Sequence, residues 1–149
     1  MGETAASKNK EPVTYYLREV HENRRLEVID EVFSEDWVDR ATEELHPEAD
    51  ASRHGLHRLI ENGFRIFPDR KTVVEDIIAE GDRVVVRSYV TGTHTGGEYL
   101  GVPPTGKVIT NRMIVIHRVE DGKVVETWGG FDQFGVMQQM GVLRLHSPT

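Results

Sequence analysis

The chain contains no cysteine, which removes disulfide frameworks, thiolate metal sites and cysteine nucleophiles together and gives no sign of an oxidising compartment. It has no apolar run near the roughly 20 residues that a membrane span requires. It also lacks any block of basic charge: the net charge of −7 comes from acidic residues scattered along the whole length, which favours solubility and repels phosphate backbones. Nucleic acid and membrane are therefore not expected partners, and the expected location is the cytoplasm. Met1 to Lys10 lacks the apolar core of a signal peptide, and Ala6 breaks the myristoylation pattern that Gly2 suggests. Residues 1–10 read as a disordered leader.

What remains is ordinary for a folded protein. With 38% hydrophobic and 29% charged residues, the composition is that of a globular chain. A length of 149 residues suits one domain, placed at 11–149.

The first half reads as helical. Pro12 suits a first turn, and Tyr16, Leu17 and Val20 share a face of a helix running to about His21. Leu26, Ile29, Val32 and Phe33 mark a second amphipathic helix. Trp37 and Val38 suit a short strand, and Glu43 to Ser52 reads as a mobile loop. Leu56, Leu59, Ile60, Gly63, Phe64 and Phe67 form the clearest helical stripe, which Pro68 ends.

The second half is rich in β-branched residues. Thr72 to Ala79 and Arg83 to Thr93 flank the turn residues Glu80, Gly81 and Asp82 and predict a hairpin. Gly96 to Gly106, with Pro103 and Pro104, must be a long connection. Val108 to Glu120 and Lys123 to Asp132 flank Asp121-Gly122, the pair that a two-residue type I′ turn prefers. If Glu120 faces Lys123, then His117 faces Glu126, Val115 faces Trp128, Met113 faces Gly130 and Asn111 faces Asp132. Helices first and antiparallel strands afterwards predict an α+β domain with helices on one side of the sheet.

Several motifs then occur in order: Phe67-Pro68-Asp69, Ala79 to Val84, Thr91-Gly92-Thr93-His94-Thr95-Gly96, Gly101-Val102-Pro103-Pro104-Thr105-Gly106-Lys107, and Asp121 to Glu126 with Trp128 and Asp132. Together they resemble the SnoaL-like polyketide cyclase, or ester cyclase, family over most of the chain. The resemblance implies a nuclear transport factor 2-like, cystatin-like roll: a cone-shaped α+β barrel in which three N-terminal helices and a curved antiparallel sheet enclose a pocket. It further implies ring closure by intramolecular aldol condensation on a polyketide-like or other small hydrophobic ketone, without metal or organic cofactor. The aspartate after the tryptophan motif, here Asp132, would be the acid/base. One departure is Arg40, where many relatives place a histidine.

Enolising a carbon acid needs a base near the carbonyl and a donor for the developing oxyanion. The expected face gives Asp132 apolar neighbours in Met113, Val115 and Trp128, with the Asn111 amide within reach. Asp132 equally suits the N-cap of a short helix from Gln133 to Met140. His117, expected opposite Glu126, is either a proton donor or half of a structural ion pair. His94 either reaches the pocket mouth or fixes its loop. Tyr16 and Phe64 complete the expected lining. His54 and His57 are spaced to share a metal, but no third ligand is evident, so no metal site is expected.

Two other readings stand beside the cyclase: a binding module without chemistry, since a cone supplies a pocket either way, and an epoxide hydrolase or dehydratase. Epoxide hydrolysis on such a cone pairs an arginine with two aspartates, and no Arg-x-Asp strand motif is present. Arg112 and Arg118 fall on the face away from Asp132. Ile114, Ile116, Val125 and Phe131 would form an apolar row on that face and predict a homodimer.

Overall fold

The computed structural model describes residues 4–144. Helix α1 (Ala5–Tyr16) starts where the Thr4 hydroxyl accepts from Ser7 N, so residues expected in a leader belong to a capped helix. Pro12 lies inside α1 rather than in its first turn. The helix continues as a π-helical segment, Leu17–Glu22. Helix α2 is only Val28–Val32, because Phe33 already opens strand β1 (Phe33–Asp39).

Part of the expected loop is helix α3 (Arg40–Leu45), whose first amides donate to the Asp39 carboxylate. Helix α4 (Arg53–Ile66) ends ahead of Pro68 as its stripe predicts. Strands β2 (Lys71–Glu80), β3 (Arg83–Thr93), β4 (Val108–Glu120) and β5 (Lys123–Phe131) follow, then α5 (Gln133–Gln139). No helix among the described residues is long and apolar enough to cross a membrane.

The sheet order is β1-β5-β4-β3-β2. Three expectations need correcting. The sheet is not wholly antiparallel, because β1 pairs parallel to β5; the two strands are remote in sequence and no hairpin turn constrains their sense. Nor is it a closed barrel, since β1 and β2 remain as edges. Four helices rather than three precede β2.

The β4–β5 register starts as expected, with Glu120 opposite Lys123, and then slips: Val119 faces Val124, but Arg118 faces Glu126. Val125 is the extra residue of a β-bulge. Because side chains alternate with period two, one inserted residue moves every later β5 side chain to the other face. His117 therefore faces Thr127, Ile116 faces Trp128 and Met113 faces Phe131. The expected common face of Asn111, Met113, Val115, His117, Trp128 and Asp132 is thus divided. Trp128 lies on the outer face, its ring 4.5 Å from the Arg83 guanidinium carbon. The expected outer row loses Phe131 to the inner side and Val125 to the bulge, and keeps Ile114 and Ile116.

Two apolar clusters hold the fold. The larger joins Val13, Tyr16, Val20, Val28, Ile29 and Phe33 to Trp37, Ile60, Val84, Val86, Val119 and Val124. The smaller joins Ile109 to Val136 and Met140, with Phe67, Tyr99 and Val102 packed on it. Phe33 is 1% exposed and makes edge-to-face contact with Tyr16 and Trp37 at centroid distances of 4.8 and 5.2 Å. Truncating it removes these contacts and opens a cavity in the larger cluster. Phe33→Ala should therefore lower the unfolding free energy by about 3–5 kcal/mol in urea titration, whereas a loss below about 1 kcal/mol would show that the ring does not anchor this cluster.

Candidate functional site

Pairing places the inner face of the sheet in rows. Ala79, Val84, Val86, His117 and Val119 belong to the end covered by the larger cluster, and Ile109 to the end covered by the smaller. Between them run two rows that neither cluster fills: Ser88 with Met113, and Thr72 with Val90 and Asn111. Asn111, Met113 and Val115 are only half-buried although they face inward. We call this inner band the hollow of the curved sheet; of its residues, Ser88 and Met113 line a cleft.

Among the described residues, four buried side-chain polar atoms have no hydrogen-bond partner: His21 Nδ1, Arg70 Nε, Thr72 Oγ1 and Asn111 Oδ1. Thr72 and Asn111 share one row of the band. Arg70 lies two residues before Thr72, at the entry to β2. An unpaired buried polar group costs roughly 1–3 kcal/mol, so four in one region mark a place built for something other than stability.

His21 reaches this region because of the π-helical segment. In an α-helix of 3.6 residues per turn, residues i and i+5 diverge; the wider π turn brings them together. The Tyr16 hydroxyl lies 3.0 Å from His21 Nε2. Burial raises the Tyr16 phenol well above its ordinary range. Burial, with the Arg70 and His117 charges adding to it, pushes His21 down to about 3.

His117 is 5% exposed, and its Nδ1 lies 2.8 Å from Thr127 Oγ1. That oxygen also accepts from Trp37 Nε1 at 2.9 Å. The three residues join β4, β5 and β1 in one buried chain. Burial pushes His117 down to about 4, so the ring is neutral at neutral pH. Trp37 can only donate and fills one of the two acceptor positions of Thr127 Oγ1; we assign the Thr127 proton to His117 Nδ1 and the ring proton to Nε2, a choice of tautomer that the heavy-atom distances allow.

The expected pairing of His117 with Glu126 is absent, because the bulge turns Glu126 outward. There it binds Arg118 and, at 2.8 Å, Arg40, which also holds Glu43. Asp132 is exposed and caps α5, its Oδ1 accepting from Gly135 N at 2.9 Å. It is therefore not buried among Met113, Val115 and Trp128. It borders a cleft of about 450 Å³ that Met113 and Phe131 line from the inner side and Arg87 and Arg112 from the outer.

His94 is fully buried, with Nε2 donating to Gly97 O at 2.7 Å and Nδ1 accepting from Thr105 N at 3.3 Å. Both nitrogens thus fix the loop, and His94 is not presented to the hollow. Phe64 lies under Arg70 and Arg24, with guanidinium carbons 5.2 and 4.6 Å from its centroid. His54 and His57 turn to different carboxylates, Asp50 and Asp30. A second cleft, of about 860 Å³, lies between α3 and α4. Its Asp50 and Arg58 pair with each other, and it shares only Trp37 with the buried chain.

Four participants escaped the reading of the sequence: His21, Arg70, Thr72 and Tyr99. Helical spacing hid His21, since only a π turn sets it beside Tyr16. Arg70 follows the Phe67-Pro68-Asp69 motif directly, a position that could have drawn attention to it.

A family model described as SnoaL-like polyketide cyclase matches residues 13–140. Among solved structures, AclR from Streptomyces galilaeus, a proposed hydroxylase, is 30% identical, with a TM-score of 0.80 over 94% of this chain and 100% of its own. IdmH from Streptomyces antibioticus, a proposed polyketide cyclase, is 30% identical, with a TM-score of 0.73 over 90% of this chain and 99% of its own. TsrD from Streptomyces laurentii is similar in fold, at 22% identity and a TM-score of 0.80 over 95% of this chain and 100% of its own. No curated protein sequence matches the chain.

The two depressed histidines set a pH dependence. The unfolded chain titrates them near 6.5, the native protein near 4 and 3. Between these values the unfolded state binds more protons, so their contribution is fully present above about pH 6.5 and is lost as pH falls toward 4 and below. In His117→Gln the slope of unfolding free energy against pH near pH 5 should drop by about 1.4 kcal/mol per pH unit. Urea midpoints from pH 7 to 4.5 measure it; an unchanged slope would mean that His117 is not buried neutral.

Proposed function

The chain belongs to the SnoaL-like polyketide cyclase family, and on that premise we propose that it performs cofactor-independent acid/base chemistry, of the aldol ring-closing type, on a polyketide-like or other small ketone held in the inner band. The observation that supports this best is the buried chain Trp37–Thr127–His117, which holds a neutral imidazole beside half-buried Val115, Met113 and Asn111. A neutral imidazole with its proton on Nε2 is a preorganised donor for the oxygen of a ketone that becomes an enolate. The low dielectric that depresses its basicity also strengthens that hydrogen bond. Thr127 fixes the tautomer and the ring plane.

The same reading needs a proton acceptor at the α-carbon, and Asp132 is the proposed one. Its Oδ1 is occupied by the α5 amide, while Oδ2 has no hydrogen-bond partner among the described residues. A ligand stretching from His117 past Met113 to Phe131 would cover the carboxylate and desolvate it, the condition under which an aspartate becomes an effective base. Capping and proton transfer then use different oxygens. A homodimer through the exposed outer side of the sheet, where Ile78 and Ile114 are 61% and 54% exposed, belongs to the same proposal.

A second reading, a binding protein without chemistry, is favoured by one observation: Asp132 is solvent-facing and bonded to a helix amide. Deuterium incorporation at the α-carbon of 1-tetralone in D2O, followed by NMR, separates the two. The wild type should catalyse exchange, His117→Leu should slow it about 10²–10³-fold through loss of one oxyanion donor, and Asp132→Asn, which keeps a good cap, should slow it about 10²–10⁴-fold. Binding of the ketone without exchange would establish the second reading. Exchange that survives Asp132→Asn would remove Asp132 from the mechanism.

A further inference from the structure

Arg70 is a charged feature of the hollow that acid/base chemistry on a neutral ketone does not use. Its Nε is buried without a partner, and among the described residues its guanidinium makes no ion pair or hydrogen bond. What surrounds it is Tyr16, His21 and Tyr99, together with Arg24, each close enough to Arg70 to interact with it electrostatically. Phe64 stacks beneath two guanidinium groups at once. Arg24 lies near with a backbone φ of 57°, an uncommon conformation for a residue other than glycine.

The chain also makes room for this cation. A Cβ on Gly63 would sit 2.2 Å from Arg70 Nη1, so in this arrangement the head group lies against the last turn of α4 at a residue without a side chain. Glycine there weakens the helix relative to alanine.

Such an arrangement opposes folding. A half-buried guanidinium whose Nε is cut off from water without a partner is unfavourable, and among the described residues no carboxylate pairs with it. Stacking on Phe64 offsets part of that cost. The planar fork remains the group best matched to a planar oxyanion. Thr72 Oγ1 and Asn111, on the adjoining row of the inner face, are unpartnered polar groups for the rest of such a ligand.

We infer that Arg70 is the anion-recognising group of the hollow, and that the ligand taken there carries a carboxylate or an equivalent planar oxyanion seated on the guanidinium. This rests on the reading that the inner band receives a small molecule, and it adds the substrate class: a keto acid, or a polyketide with an acidic terminus, rather than a neutral ketone or ester.

Calorimetric titration with 2-naphthoate and with methyl 2-naphthoate tests it, since the two differ in charge and hardly in shape. The wild type should bind the acid at least tenfold more tightly than the ester, and Arg70→Gln should reduce that preference below threefold. Arg70→Met, which keeps an unbranched apolar stem and removes the charge, should leave the unliganded protein at least as resistant to thermal unfolding as the wild type and abolish the preference; a structural arginine would instead show a lowered melting temperature. Equal affinity for acid and ester, binding of neither, or a preference that survives both variants overturns the assignment. If 1-tetralone is deuterated while acid and ester bind alike, the Arg70 inference fails and the acid/base reading stands. If the acid preference is found and no ketone is deuterated, the reverse holds.

Discussion

The bulge at Val125 decides which side chains the hollow contains. With a continuous β4–β5 ladder, Trp128 would stand beside Val115 and Asp132 beside Asn111, and the interior would be acidic and aromatic. One inserted residue reverses every later β5 position: Thr127 turns inward to His117, Glu126 turns outward to Arg118 and Arg40, and Phe131 faces Met113. The Trp37–Thr127–His117 chain exists only in the shifted register. The same shift spares the histidine a carboxylate partner, which would have raised its basicity and held it charged. A neutral, buried imidazole is therefore a consequence of sheet register as much as of residue identity.

The distribution of apolar residues completes the site by what it leaves open. Both ends of the inner face are sealed by dense clusters, and the rows between them have polar or short side chains that no helix covers fully. Close-packed interiors normally leave few polar atoms unsatisfied; here four gather between the clusters. Stability comes from the two ends, with Phe33 at the centre of the larger, and the middle is spared from packing. The π-helical segment belongs to this division, because it gives up regular α-helical spacing and brings His21 next to Tyr16.

Much of the architecture was legible. The α4 stripe, both hairpins, the glycine- and proline-rich connection and the Asp121-Gly122 turn follow from periodicity and turn chemistry, and the ordered motifs pointed to the family. The faces were not legible beyond the turn, because nothing in Lys123 to Asp132 announces where a bulge falls: Val124 and Val125 are chemically identical, and tertiary packing of Val124 against Val119 selects one of them. The parallel pairing of β1 with β5 depends on contacts between distant segments, which local pattern cannot supply. His21 and Arg70 were missed because their significance is a lack of partners, a property of three-dimensional surroundings. Of the residues singled out from sequence, His117, Asn111, Met113 and Val115 stay on the inner face, Tyr16 and Phe64 adjoin it, and Trp128 and His94 leave it.

Asp132 is the cap of α5, and the proton-accepting role proposed for it would use its other oxygen without releasing the cap. An N-cap needs one carboxylate oxygen directed at an amide of the first turn, and a syn lone pair on the other oxygen stays available. Anchoring through Oδ1 fixes the side-chain torsions, so a proton accepted at Oδ2 would be taken by a preoriented group, at little further loss of rotamer freedom. In the proposed mechanism, a base that is exposed until a ligand covers it would gain strength only when substrate is bound. Burial of the ligand, rather than burial of the empty protein, would then be what activates the site, and the proposed recognition by Arg70 would draw an anionic ligand to a protein whose net charge is −7.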